Sequence, residues 1–134
     1  MATWDDVRRL VSGLPETDEH PSYGGHPSWR VRGKAFVWAR PLRQGERAAL
    51  GDAAPDEDEP LLGVRVADEG EKAALLASAP AAFLTTPHFA GYPVVLVRLE
   101  RIPAGELTEL VEEAWRTRAP RRLVADLDGR RGPT

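Results

Sequence analysis

The chain contains no cysteine. That absence excludes disulfides, thiolate metal sites and a cysteine nucleophile, and it makes the reducing cytoplasm the expected compartment. Lysine is nearly missing too, with only Lys34 and Lys72 among 18 basic residues. Positive charge is therefore carried by arginine, a bias that a GC-rich genome explains as readily as selection for forked phosphate contacts. No apolar run approaches the ~18 residues of a membrane-spanning helix. The opening Met1-Ala2-Thr3-Trp4-Asp5-Asp6 has neither the basic nor the apolar region of a signal peptide, so an unexported protein with no membrane partner is expected. Also missing are a Gly-x-x-x-x-Gly-Lys-Ser/Thr loop, a Gly-x-Gly-x-x-Gly turn, a His-Glu-x-x-His helix and a Gly-x-Ser-x-Gly elbow. Nucleotide-binding and hydrolase readings lose their usual anchors, and the residues predict no catalytic set and no cofactor.

What is there is the material of one globular domain spanning residues 1–134. Its 134 residues and 14.7 kDa suit a single core, and 42% hydrophobic with 29% charged residues excludes wholesale disorder. Trp4, Val7, Leu10, Val11 and Leu14 recur at helical spacing and predict a helix over 4–12, with Thr3 as N-cap, Asp6 at the third position, and Gly13 and Pro15 as its stop. Residues 16–27 read as a loop with a short extended piece near Ser22 and Tyr23. Ser28-Trp29-Arg30-Val31 and Ala35-Phe36-Val37-Trp38-Ala39 predict a hairpin turning at Arg32-Gly33-Lys34, with Trp29 and Val31 on one face and Arg30 and Arg32 on the other.

Residues 41–60, rich in Gly, Ala and Pro and holding Asp56-Glu57-Asp58-Glu59, read as a mobile acidic loop with one helical turn near 46–50. A strand over 61–67, a helix over 69–78 capped by Asp68, a helical turn over 81–84 and a buried strand over 94–99 follow. Pro103 opens the last strong helix, whose stripe is Leu107, Leu110, Val111, Ala114 and Trp115, and Ala119-Pro120 ends it. One more amphipathic turn at Leu123, Val124 and Leu127 precedes a tail expected to be disordered after about 128. This order lacks the regular alternation of a parallel doubly wound sheet, so an α+β domain is expected, its antiparallel sheet covered by helices mainly on one face.

Charge layout is the strongest functional signal. Between Trp29 and Arg47 stand Arg30, Arg32, Lys34, Arg40, Arg43 and Arg47 against Glu46 alone, and Arg116, Arg118, Arg121 and Arg122 follow with no acid among them, in a chain whose net charge is −3. Such segments suit phosphate neutralisation. The competing reading is a surface neutralised by internal ion pairs, with arginines near a helix C-terminus placed there by the dipole. Glu16, Asp18, His20 and His26 contain metal-ligand types without a metal-site spacing, and His88 suits a turn cap or a pocket wall. Trp29, Phe36, Trp38, Phe83, Phe89, Tyr92 and Trp115 suit either a core or a ligand pocket.

Pro27-Ser28-Trp29-Arg30-Val31-Arg32-Gly33-Lys34-Ala35-Phe36, Thr86-Pro87-His88-Phe89, the strand from Val94 to Leu99, and Ala114-Trp115-Arg116 followed by Ala119-Pro120-Arg121 resemble the successive blocks of the MmcQ/YjbR-like family of small bacterial proteins. The resemblance covers nearly the whole chain. It implies an α+β fold akin to secretion chaperones and frataxin-like proteins, a double-wing arrangement of hairpins, and a DNA-binding label with no enzymatic activity established for the family. Gly33 and Lys34 would be a hairpin tip, Pro87 and His88 the approach to the central strand, and Trp115 with Pro120 the packing of the last helix. The acidic insertion at Asp56 to Glu59 departs from the family's compact pattern, and Arg121 stands where the family often has Lys.

The expectation is a non-enzymatic protein that binds DNA weakly and in a salt-dependent way through Arg30, Arg32, Lys34, Arg40, Arg116, Arg118, Arg121 and Arg122. The alternatives are a chaperone-like adaptor for a protein partner, including a homodimer, and a small-molecule or metal-binding protein built around His20, His26 and His88.

Overall fold

A computed structural model describes residues 2–131 of the chain. Helix α1 (Trp4–Ser12) starts as its sequence predicts: Thr3 Oγ1 accepts from the Asp6 amide at 3.2 Å and Asp6 Oδ2 accepts from the Thr3 amide at 2.9 Å. This reciprocal box satisfies donors that a helix start leaves open, and Val7 and Val11 face the core.

The segment after α1 corrects the sequence reading. Thr17–Pro21 is not loop but a strand, β1, pairing antiparallel with β2 (Pro27–Val31) from Thr17 opposite Val31 to Pro21 opposite Pro27. It carries no apolar alternation because it is a sheet edge lying in solvent, held by backbone hydrogen bonds, where charge and proline are tolerated. The piece near Ser22 is likewise not extended; a 3-10 turn occupies Tyr23–Gly25.

The hairpin of β2 and β3 (Lys34–Ala39) turns on two residues rather than three, with Arg32 and Gly33 at φ 48° and 81° and Lys34 already in the strand. Positive φ at both positions is what a tight hairpin matching the strand twist demands. Trp29 opposes Val37 while Arg30 opposes Ala35, so Phe36 is an extra, bulged residue. The bulge turns two consecutive side chains, Phe36 and Val37, into the core.

Residues 41–60 are likewise more structured than the expected loop. They hold helix α2 (Gln44–Leu50) and a 3-10 turn at Gly51–Ala53, and Glu59 is paired with Arg98 at 2.5 Å. Strand β4 (Leu61–Arg65) and helix α3 (Glu69–Ser78) follow, and Asp68 accepts from the Glu71 amide at 2.8 Å as the predicted cap. The expected helical turn at 81–84 is instead a turn into a short strand, β5 (Phe83–Leu84). It pairs with β6 (Val94–Arg98), which holds it extended, and a 3-10 turn at Pro87–Phe89 connects the two. Helix α4 (Ala104–Arg118) agrees with its stripe. The following turn and the tail as far as Arg131 form a full helix, α5 (Arg121–Arg131), whose Leu123 and Leu127 are buried; the rest of the tail lies outside the described residues.

The six strands form one antiparallel sheet in the order β1-β2-β3-β4-β6-β5. Its main core face meets α1 and α4 through Trp29, Val37, Leu62, Val64, Val95, Val97, Leu107 and Trp115, with α3 and α5 packed at its margins. On the opposite face a smaller cluster gathers Phe89, Val94 and Leu96 with Trp38, Leu42 and Leu84. The architecture is thus α+β, with four of the five helices on one side of the sheet.

Candidate nucleic-acid interface and a second pocket

Strand β1 changes the meaning of the predicted basic hairpin. Antiparallel pairing sets Asp18 opposite Arg30, where the two bond through both carboxylate oxygens at 3.1–3.2 Å, and brings Glu16 to Arg32 in the same bidentate way at 2.9–3.1 Å. Arg32 holds the Glu16 carboxyl below the usual range, and Arg122 adds to this at longer range. The signal lay in the sequence: acids at 16 and 18 mirror arginines at 32 and 30 across an antiparallel ladder. It was hidden because a strand with no apolar face reads as loop.

Arg40 is withdrawn from any surface. It is 9% exposed, forks onto Glu46 at 2.8–2.9 Å, donates to the Pro41 carbonyl, and lies 5.1 Å from the centre of the Phe89 ring. Glu46 also accepts from the Arg43 amide and from Thr86 Oγ1. Burial pushes its carboxyl up, but Arg40, the Arg43 amide and Thr86 together outweigh burial and hold it at about 2. Arg116 is bound to Glu112 and Asp128, each within 3.1 Å, with Asp128 foremost in raising its guanidinium. Arg118 pairs with nothing among the described residues; burial, and then the neighbouring charge of Arg65, push it down, and its Nε is buried without a partner.

Lys34, Arg121 and Arg122 remain exposed, with no ion pair among the described residues. Lys34 follows the hairpin tip. Arg121 and Arg122 open α5, just past the end of α4, which is tied to the chain before β1 by a 3.1 Å bond from Trp115 Nε1 to the Pro15 carbonyl. Glu16 is bonded to Arg32 while its neighbour Pro15 accepts from Trp115 near the end of α4, so the hairpin tip and the α4–α5 junction lie at one corner.

Two concavities lie elsewhere. A groove of about 600 Å³ runs between α3 and α4 over an apolar floor that includes Leu75 and Leu110, and its rim carries Glu71, Glu106, Glu109 and Glu113. A second pocket, of about 420 Å³, lies on the far face of the sheet and unites His26, Trp38, Arg40, Arg43, His88 and Phe89. The expected grouping of His20, His26 and His88 is met in part: His26 and His88 line this pocket together and His20 does not. His20 is apart from them on β1, and Glu16 and Asp18 are spent on arginines. Among the described residues no group of three or more metal-ligand side chains is assembled, and no helix is long and apolar enough to cross a membrane.

Residues 12–117 match the family model YjbR. The chain belongs to the YjbR family. Two curated YjbR relatives, uncharacterized proteins of Mycobacterium bovis and Mycobacterium tuberculosis, are each 51% identical over 127 residues, covering 92% of this chain and 94% of theirs. The fold is similar to the crystal structure of a Deinococcus radiodurans protein with a DUF419 domain, at a TM-score of 0.62 and 21% identity, covering 86% of this chain and 77% of that one. That likeness concerns the YjbR fold alone.

Proposed function

We propose that this protein is a non-enzymatic DNA-backbone binder whose contact surface is the corner formed by Lys34, Arg121 and Arg122, with Arg32 exchanging Glu16 for phosphate. One observation carries the reading: two arginines open α5, where a helix dipole disfavours cations, without an ion pair among the described residues. The dipole gives Arg121 no stabilising role there and Arg122 has only the longer-range charge of Glu16, whereas phosphate recognition would use both. The Arg32–Glu16 pair is half exposed on both sides and so contributes little that a phosphate could not replace. Arg30, Arg40 and Arg116 have structural partners and belong to the fold, and Arg118 is half-buried with its Nε enclosed.

The test is fluorescence anisotropy of a labelled duplex at low salt. Saturable binding that is lost in a Lys34→Glu, Arg121→Glu, Arg122→Glu variant supports the reading. No binding at tens of micromolar protein, or the same affinity in the variant, removes it. The adaptor reading would then stand instead, with the acid-rimmed groove between α3 and α4 as its surface and a cationic amphipathic segment as the chemistry that fits.

A further inference from the structure

The pocket on the far face of the sheet shows a different chemistry from both the corner and the groove. Four elements build it. The end of β3 supplies Trp38 and Arg40, the approach to α2 supplies Arg43, the 3-10 turn between β5 and β6 supplies His88 and Phe89, and the loop after β1 supplies His26. Each is fixed from behind. Arg40, Arg43 and Thr86 converge on buried Glu46. Lys72, itself buried, donates to the carbonyls of Phe89 and Tyr92 at 2.7 and 2.9 Å and holds the turn that carries His88. Ser22 closes its loop by bonding the His26 carbonyl through both its amide and its hydroxyl.

Trp38 is the unusual wall. A Cβ on Gly63 would stand 2.5 Å from its ring, so the indole rests directly on the backbone of β4 and is only partly buried. His88 packs edge-on against Phe89 with centroids 4.9 Å apart. The lining therefore offers aromatic surface together with two arginines and two histidines, and it contains no carboxylate, in a chain where acids outnumber Lys and Arg by 21 to 18. Arg40 is neutralised by Glu46 behind it, which leaves Arg43 as the unspent cation at the mouth. Imidazoles without a carboxylate and beside guanidinium groups are poor company for a metal ion. A concave, partly apolar site with a few convergent polar donors is the form of a small-molecule site.

We propose that this pocket binds a small planar ring bearing one anionic group, the ring lying on Trp38 and the anion held by Arg43 with His26 and His88. The carboxylate of an aryl acid and the phosphate of a nucleotide share this chemistry. Titration calorimetry with indole-3-carboxylate and with adenosine monophosphate as separate arms distinguishes them, with indole, adenosine and inorganic phosphate alone as controls. At least one ring-bearing anion is expected to bind one-to-one with a dissociation constant near or below about 1 mM. Arg43→Ala and His88→Ala, both exposed, are expected to weaken it about tenfold or more while leaving the melting temperature unchanged. Absence of saturation for both ring-bearing anions, equal binding of the uncharged ring, or wild-type affinity in both variants would overturn the proposal. The corner variant Lys34→Glu, Arg121→Glu, Arg122→Glu should leave this binding intact, so the outcome is independent of the DNA reading.

Discussion

Glu46 is the residue on which the far face of the sheet turns. It is 7% exposed and receives four hydrogen bonds, two from Arg40, one from the Arg43 amide and one from Thr86. Truncating one member of a buried ion pair strands the other charge, so Glu46→Ala should lower unfolding free energy by about 3–5 kcal/mol. A double change of Arg40 and Glu46 to apolar residues should recover much of that loss in urea titrations. The carboxyl lies at about 2 in the fold against 4.5 ordinarily. A depressed folded value means that the stabilisation is complete above about pH 5 and is lost as pH falls toward 2, roughly 3 kcal/mol in all. Urea midpoints measured between pH 6 and 2 should fall in the wild type, and the decline should be shallower in Glu46→Ala. Gly63 offers a second test. Any Cβ there meets the Trp38 ring at 2.5 Å, and overpacking of this kind costs about 1–3 kcal/mol. Gly63→Ala should therefore lower the melting temperature, and because it displaces Trp38 it should also weaken binding in the pocket; unchanged stability would show that the indole is not seated on β4.

At the level of elements, β1 and α5 decide how much positive charge the molecule displays. β1 places Glu16 and Asp18 onto the hairpin arginines, and α5 begins near the same corner with Arg121 and Arg122 exposed. Glu16→Gln leaves the backbone pairing of β1 with β2 intact but removes the carboxylate on which Arg32 and Arg122 both act. If the corner binds DNA, this substitution should tighten binding at low salt and steepen its salt dependence by about one phosphate contact. Weaker or unchanged binding would mean that Arg32 does not reach the duplex. β1 reads as loop because it shows no hydrophobic period, and α5 reads as one amphipathic turn before a tail because its period is so short. β1 is held at an edge by backbone bonds, and α5 buries only Leu123 and Leu127 once per turn. The short β5 was misread for a related reason: two residues between prolines carry no period at all, and only pairing with β6 makes them a strand.

For the whole molecule, a net charge of −3 describes no surface in particular. The positive corner, the acid-rimmed groove between α3 and α4, and the carboxylate-free pocket on the far face are three different electrostatic environments on one small fold. A binder with three or four phosphate contacts should show log affinity falling against log salt with a slope of about −2.7 to −3.6. A slope near zero would exclude the corner as a phosphate surface. Periodicity and turn chemistry in the sequence were enough to determine α1 with its cap, the β2–β3 hairpin, β4, α3, β6, α4 and the α+β class, because burial patterns and caps are local properties of consecutive residues. Which arginines remain available was decided only by the tertiary structure. Whether Arg30 or Arg122 faces a carboxylate depends on a partner brought in from a distant strand or helix, and so does the meeting of His26, Trp38, Arg43 and His88 in one pocket.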